Sequence, residues 1–165
     1  MRKHLYFVCP TDHLETVIND QCHQENYYLT SLGNSVSFNS EFIGEINSLI
    51  EANRITEITF ILSDNNRIIL DALNRQRFNN VRGLSSFYNI IGKEKRLTKK
   101  LWHTFDIQSQ IISCYLNLKV KELQFRLSSC LTDTVKVNGI IYCSKSKTFD
   151  EIQPNLLSLE HFNLN

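Results

Sequence analysis

The chain has 165 residues, and its 18 lysines and arginines nearly balance its 17 aspartates and glutamates, giving a formal net charge of +1. This charge excludes a global attraction to nucleic acid or to an anionic membrane, and no apolar run approaches the roughly 20 residues of a membrane span. The length predicts one domain over residues 1–165. The five cysteines form no CxxC pair; without a visible signal peptide, they predict free thiols in the cytoplasm.

The first elements are short. Residues 5–9 form an apolar run that ends at a proline and predicts a buried strand. Asp12 is placed to cap the helix that follows. Residues 27–30 predict a second strand, and either Gly33 or Asn34 in the next turn can take a positive φ.

A clearer amphipathic helix comes next, with Asn39 or Ser40 as its cap and Asn53 as its stop. Its apolar stripe consists of Phe42, Ile43, Ile46, Leu49 and Ile50. Residues 57–62 are almost continuously apolar and predict a third, buried strand. A polar turn and a helix over residues 65–75 follow at once.

The second half of the chain is less regular. Gly83 and Gly92 predict breaks. A long helical region is expected over residues 98–128, with a break near Asn117 left open. The last predicted strand is residues 135–143, which lead into a hairpin-like turn.

Strands that alternate with helices predict an α/β fold with a central, mostly parallel β-sheet flanked by helices and a late edge strand or hairpin. Ligand sites in such folds lie at the carboxyl ends of the strands. Here those ends are followed by residues 9–13, 30–34 and 63–66. The third turn holds serine, aspartate and asparagine but no histidine, cysteine or glycine.

These turns, in this order, resemble those of the β-class carbonic anhydrases. The family motif Cys-x-Asp-x-Arg corresponds to residues 9–13, which read Cys-Pro-Thr-Asp-His here. The family turn Arg-Asn-Ala-Gly-Asn corresponds to residues 30–34, which read Thr-Ser-Leu-Gly-Asn. A Ser-x-Glu-Tyr pattern opens the next family helix, and residues 39–42 read Asn-Ser-Glu-Phe. The motif Gly-His-x-x-Cys-Gly matches residues 62–67, Leu-Ser-Asp-Asn-Asn-Arg. A late Leu-x-Leu-His-Gly-Trp-x-Tyr strand matches residues 135–142, Val-Lys-Val-Asn-Gly-Ile-Ile-Tyr.

The resemblance covers about residues 5–152 and implies a β-carbonic-anhydrase-like fold in a homo-oligomer, expected here as a dimer. It also implies a zinc site with three protein ligands, of which this chain retains Cys9. Ser63 and Asn66 stand in the other two places, and neither neutral side chain replaces a thiolate or an imidazole. We therefore expect no metal cofactor, no catalytic residues and no CO2 hydration, because the zinc-bound hydroxide would be missing.

The remaining pocket suggests a structural or binding role, with hydrogen bonds replacing zinc as the tie between the turns. The candidate residues are Cys9, Thr11, Asp12, His13, Gly33, Asn34, Ser63, Asp64, Asn66 and Arg67. One alternative is a small-anion site at the start of the helix near residue 65, with Arg67 adding charge. Another is an enzyme with a metal site rebuilt from Cys9, Asp12, His13 and Asp64, or with Cys9 as a nucleophile beside His13.

Overall fold

A computed structural model describes residues 2–101, 107–128 and 135–153. The strands in these ranges are β1 (Lys3–Val8), β2 (Glu25–Thr30), β3 (Glu57–Ser63), β4 (Lys136–Cys143) and β5 (Thr148–Glu151). The α-helices are α1 (Leu14–Gln21), α2 (Ser40–Asn53), α3 (Arg67–Asn74), α4 (Ser85–Leu101) and α5 (Ile107–Ser128). A short 3-10 turn, Leu32–Asn34, follows β2.

The strands form one sheet in the order β2-β1-β3-β4-β5. The first three pairings are parallel, and β5 joins β4 antiparallel at the edge. The predicted α/β fold with a mostly parallel sheet and a late hairpin is therefore confirmed. The sheet order places the ends of β1 and β3 side by side, and β2 lies against β1 on its other side.

Helices pack on both faces of the sheet. The side chains of β1 point alternately to these two faces, and those on each face are buried under helices. Leu5 and Phe7 point into the larger core, which contains side chains of α2, α3, α4 and α5. Tyr6 and Val8 point into a smaller core covered by α1 and approached by Phe149 of β5. A central strand buried on both faces reads as a continuous apolar run, as residues 5–9 do.

The helix α2 begins and ends where the sequence predicted. The Asn39 side chain accepts from the Phe42 N–H at 2.8 Å, and Arg54 closes the helix in the left-handed conformation. Ile43, Ile46 and Ile50 are buried against the sheet. The stripe therefore fixes which face of α2 packs, and Asn39 fixes where α2 begins.

One expectation for the second half is wrong, and another falls partly outside the described residues. The helix α4 runs through Gly92 without a break, because an isolated glycine lowers helix stability but does not stop a helix. The region expected to be helical over 98–128 is helical up to Leu101 and again over Ile107–Ser128, and its residues 102–106 lie outside the described ranges. The helix α5 is unbroken at Asn117, whose side-chain amide donates to the Gln153 carbonyl at 2.6 Å.

Candidate functional site

Cys9 connects the first two turns at the carboxyl edge of the sheet. It lies just after β1 and is fully buried. The Gly33 N–H donates to its Sγ at 3.1 Å, and the Thr11 hydroxyl lies 3.1 Å from the same sulfur. Gly33 has a φ of +60°, and a Cβ there would lie 2.9 Å from the Phe87 ring. Glycine is thus required where the second turn approaches Cys9.

Asp12 connects the first turn to the third. One carboxylate oxygen accepts from the Ser63 N–H at 2.8 Å, and the other accepts from the Asn66 side-chain amide at 2.8 Å. Burial raises the pKa of Asp12 to about 6, against the hydrogen bonds from Ser63 and Asn66. The prediction that Asp12 caps α1 is wrong, since His13 occupies that position with a φ of 52° and no side-chain cap bond.

Asn66 is the fully buried cap of α3. Its side-chain oxygen accepts from the N–H groups of Ile68 and Ile69, at 3.0 and 2.9 Å, while its amide nitrogen donates to Asp12. Nearby, the Ser63 hydroxyl donates to the Asn65 side-chain oxygen at 2.6 Å. Both residues that stand at zinc-ligand positions therefore already have protein partners.

Asn34 ties the second turn to β3 and α5. Its side-chain amide donates to the Ile61 carbonyl at 3.0 Å, and its backbone carbonyl accepts from the Tyr115 hydroxyl at 2.8 Å. The Asn34 backbone also has a positive φ, 53°, so both candidates for that conformation adopt it. Tyr115 lies 81 residues from Asn34, and no sequence signal pointed its hydroxyl to this turn.

Asp64 has different partners from Asp12. Its carboxylate accepts from the N–H and the hydroxyl of Ser144, at 3.1 and 2.8 Å, and its carbonyl accepts from Gln108. Burial alone would raise the pKa of Asp64, but the hydrogen bonds from Ser144 outweigh it and lower that pKa. Asp64 therefore ties the third turn to the end of β4, a contact that the sequence did not indicate.

His13 and Arg67 are exposed at the rim. Within the described residues, neither side chain has a hydrogen bond or an ion pair. The Cys9 sulfur faces Gly33 and Thr11, so the contacts do not pair it with His13. The structure brings together the inner candidates, and the side chains of His13 and Arg67 make no hydrogen bond to them among the described residues.

The chemistry of these donors does not fit zinc. Structural or catalytic zinc takes at least three ligands from thiolate, imidazole and carboxylate groups. Among residues 2–101, 107–128 and 135–153, no three histidine, cysteine, aspartate or glutamate side chains converge in this way. Cys9 alone supplies such a group where the resemblance implies three ligands, and the Asn66 oxygen is committed to capping α3.

The sequence matches no protein-family model and no curated protein. The structure is similar to solved β-carbonic anhydrases. One of two tetrameric β-carbonic anhydrases from Sordaria macrospora gives a TM-score of 0.69 at 12% identity, over 92% of this chain and 80% of its own. The Aspergillus fumigatus enzyme CafD gives 0.68 at 12% identity, over 93% and 90%. A Coccomyxa enzyme in complex with acetazolamide gives 0.68 at 14% identity, over 92% and 72%.

These likenesses confirm the fold that the motif order implied. Each covers more than nine-tenths of this chain, so the whole described sheet and its helices share the β-carbonic anhydrase architecture. At 11 to 14% identity the likeness is one of fold. The activity must be argued from the side chains at the strand ends.

Proposed function

We propose that this protein is a β-carbonic-anhydrase-like protein that does not hydrate CO2 and acts in a structural or binding role. The observation that carries this proposal is the Asp12 carboxylate, which holds the Ser63 N–H and the Asn66 amide together. A hydrogen-bonded carboxylate thus takes the place in which the resemblance implies a zinc ion joining the turns. The three turns remain connected without a metal.

Zinc binding at these positions would disrupt bonds that the fold already uses. Asn66 would have to release the N–H groups of Ile68 and Ile69, which its oxygen caps. Losing such a cap costs about 1 kcal/mol or more. A neutral amide oxygen is a weak zinc ligand, so its bond to the metal would not offset the loss of the cap. Without the metal there is no bound water of lowered pKa to attack CO2.

Metal analysis with a hydration assay tests this proposal. We expect purified protein to contain far less than one zinc per chain and to leave the rate of CO2 hydration at its uncatalysed value. Cys9→Ala should change neither result, and Cys22→Ala is the matched control at a half-buried thiol elsewhere. A zinc content near one per chain that is lost in Cys9→Ala but kept in Cys22→Ala would overturn the proposal.

We also infer a homo-oligomer, because enzymes of this fold include tetramers, such as those of Sordaria macrospora. Our specific expectation is a dimer. Light scattering coupled to size exclusion distinguishes a dimer of about 39 kDa from a tetramer or a monomer, because one chain is 19.3 kDa. A monomer at all concentrations would contradict the inference.

The alternative of a small-anion site at the start of α3 has weaker support. Two of the N–H groups that an anion would use already donate to the Asn66 oxygen, which leaves the exposed Arg67 as the main attraction. Stabilisation by bicarbonate that disappears in Arg67→Ala would favour this alternative. A Cys9 nucleophile has no base among the described contacts of its sulfur.

A cytoplasmic location agrees with the cysteines, since Cys9, Cys22, Cys114 and Cys143 are all free thiols. Among the helices that the structure describes, none is both long enough and apolar enough to cross a membrane. Fractionation of cells that express a tagged chain tests the location.

A further inference from the structure

We propose that the cleft between α3 and α4 binds a small phosphorylated ligand, such as a sugar phosphate or a nucleotide. The cleft has a volume of about 590 Å3, within the usual range of small-molecule sites. It follows α4 from Ser85 to Arg96, and the end of α3 and the next loop form its other wall. Its polar wall includes Gln76, Asn79, Asn80, Asn89, Lys95 and Arg96.

The stretch of sequence that forms this cleft is rich in basic residues, of which Lys95 and Arg96 line it. Residues 67–96 contain seven lysines and arginines and two acidic residues, although the whole chain has a net charge of only +1. Both acids have other partners: the Asp71 carboxylate accepts from the Tyr88 hydroxyl and from the Phe78 N–H, and Glu94 is 2% exposed beside Cys114. Among the described residues, no carboxylate lines the cleft, so its potential favours an anion.

The donors suit phosphate in particular. Lys95 and Arg96 are adjacent in sequence and both line the cleft, about 16 Å along α4 from Ser85, so the phosphate is expected at their end of the cleft. Arg96 has no hydrogen bond or ion pair to another described residue, so its guanidinium is available for a bidentate contact. Lys95 donates to the Leu73 carbonyl at the end of α3 and adds a second positive charge.

The loop that carries the amides is held in place. The Gln76 N–H donates to the Asp71 carbonyl at 2.8 Å, and the Leu84 N–H donates to the Val81 carbonyl at 3.0 Å. Amide side chains both donate and accept, which suits the hydroxyl groups of a sugar beside its phosphate.

Two glycines provide a matched pair of variants. Gly92 lies in the cleft wall, and a Cβ added there meets no atom within 4 Å. Gly92→Leu therefore projects a side chain into the cleft from an unobstructed Cβ, and replacing a glycine inside a helix favours folding. Gly44 in α2 has the same open surroundings and lies outside the cleft. Gly44→Leu is therefore the control for an added exposed leucine.

Calorimetric titration and thermal shift with inorganic phosphate, glucose 6-phosphate and AMP test the site, with chloride at equal ionic strength as the reference. We expect at least one of these probes to bind the wild type. Gly92→Leu and Arg96→Gln should each weaken that binding by about tenfold or more. Gly44→Leu and Lys145→Gln, which changes an exposed charge elsewhere, should leave it unchanged.

Three results would overturn the proposal. The first is that none of the three probes binds, including the case in which only a single-stranded oligonucleotide binds. The second is equal affinity in Gly92→Leu and wild type. The third is binding that is lost in Arg67→Ala and kept in Gly92→Leu, which would place the anion at the strand ends instead. None of these results depends on the zinc content or on the rate of CO2 hydration. The proposed site can therefore be wrong while the proposed function is right, and the reverse.

Discussion

Two polar clusters join β1 and β3, one at the carboxyl end and one nearer the amino end, and they are built on opposite kinds of ionisable group. The carboxyl-end junction is Asp12, Ser63 and Asn66. The His4 cluster is His4, Gln24, Glu57, Thr59 and Asn138. The first joins irregular turns around a carboxylate, whereas the second is built largely on regular strands around an imidazole.

The hydrogen bonds of the His4 cluster run in one direction. The Gln24 amide donates to His4 Nδ1 at 3.0 Å, and His4 Nε2 lies 2.7 Å from the Thr59 hydroxyl, which donates onward to Asn138. The Asn138 amide then donates to Glu57 at 2.9 Å. This series of hydrogen bonds indicates that the His4 imidazole is neutral and carries its proton on Nε2. Burial accordingly lowers the pKa of His4, although Glu57 acts the other way.

Both clusters therefore favour the neutral form of their central group, Asp12 in one and His4 in the other. The contributions of these two groups to stability change with pH in opposite directions. The raised pKa of Asp12 adds stability below its unfolded value, 3.8, and this contribution is lost as the pH rises through about 6. The lowered pKa of His4 adds stability above 6.5, and this contribution is lost as the pH falls through the folded value. The same strand pair is thus sensitive to acid at one cluster and to base at the other.

Removing the Asn66 amide from the carboxyl-end junction should lower the free energy of unfolding more than any other substitution proposed for the two clusters. Asn66→Ala removes two cap bonds and the partner of Asp12, so we expect the free energy of unfolding to fall by about 3 kcal/mol. Asn39→Ala, at an exposed cap with one N–H bond, should cost about 1 kcal/mol. Urea unfolding of both variants measures the difference. Equal losses would mean that the junction contributes no more than an ordinary helix cap.

The pH dependence of Asp12 is the next largest effect. As the pH rises from 4 to 6, ionisation of Asp12 should lower the free energy of unfolding by about 2 kcal/mol, given its pKa of about 6. Asp12→Asn lacks this change, so its stability deficit relative to wild type should shrink across the same range. Unfolding at several pH values measures it. Asp150→Asn, at an exposed carboxylate, should follow the wild-type curve, and a parallel curve for Asp12→Asn would contradict the assignment.

The sequence predicted the fold better than the junction, for a physical reason. Continuous apolar runs identify β1 and β3 because both faces are buried, and Asn39 marks the start of α2 through a local bond. Asp12 looked like a cap because an aspartate before a helix has the same local signature in either role. Its partner Ser63 is 51 residues away. The contacts of Ser144 and Tyr115 with the turns are equally non-local, so no spacing rule reveals them.

A smaller effect is expected at the centre of the His4 cluster. His4→Gln removes the contact with Thr59 and the stack on Tyr6, whose ring centroid lies 4.1 Å away. We expect a cost of about 1 kcal/mol at pH 8. Since wild type alone loses stability as His4 takes up a proton, the cost should shrink below pH 6.5. Unfolding at pH 8 and 5.5 tests this, with His23→Gln, at an exposed histidine, as the control; a cost that grows in acid would refute the neutral assignment.

The smallest effect concerns the outer edge of the same cluster. The Lys136 ammonium lies 3.4 Å from a Glu57 oxygen with its side chain 71% exposed, so Lys136→Ala should change stability by less than about 0.5 kcal/mol. The imidazole is the more sensitive reporter, because the positive charge of Lys136 helps to lower the pKa of His4. Titration of the His4 ring by NMR should therefore show a higher pKa in Lys136→Ala. In Lys3→Ala, which removes the pair with Glu25, the pKa of His4 should stay at its wild-type value. Equal shifts in the two variants would mean that general surface charge, rather than the local arrangement of the cluster, sets the protonation of His4.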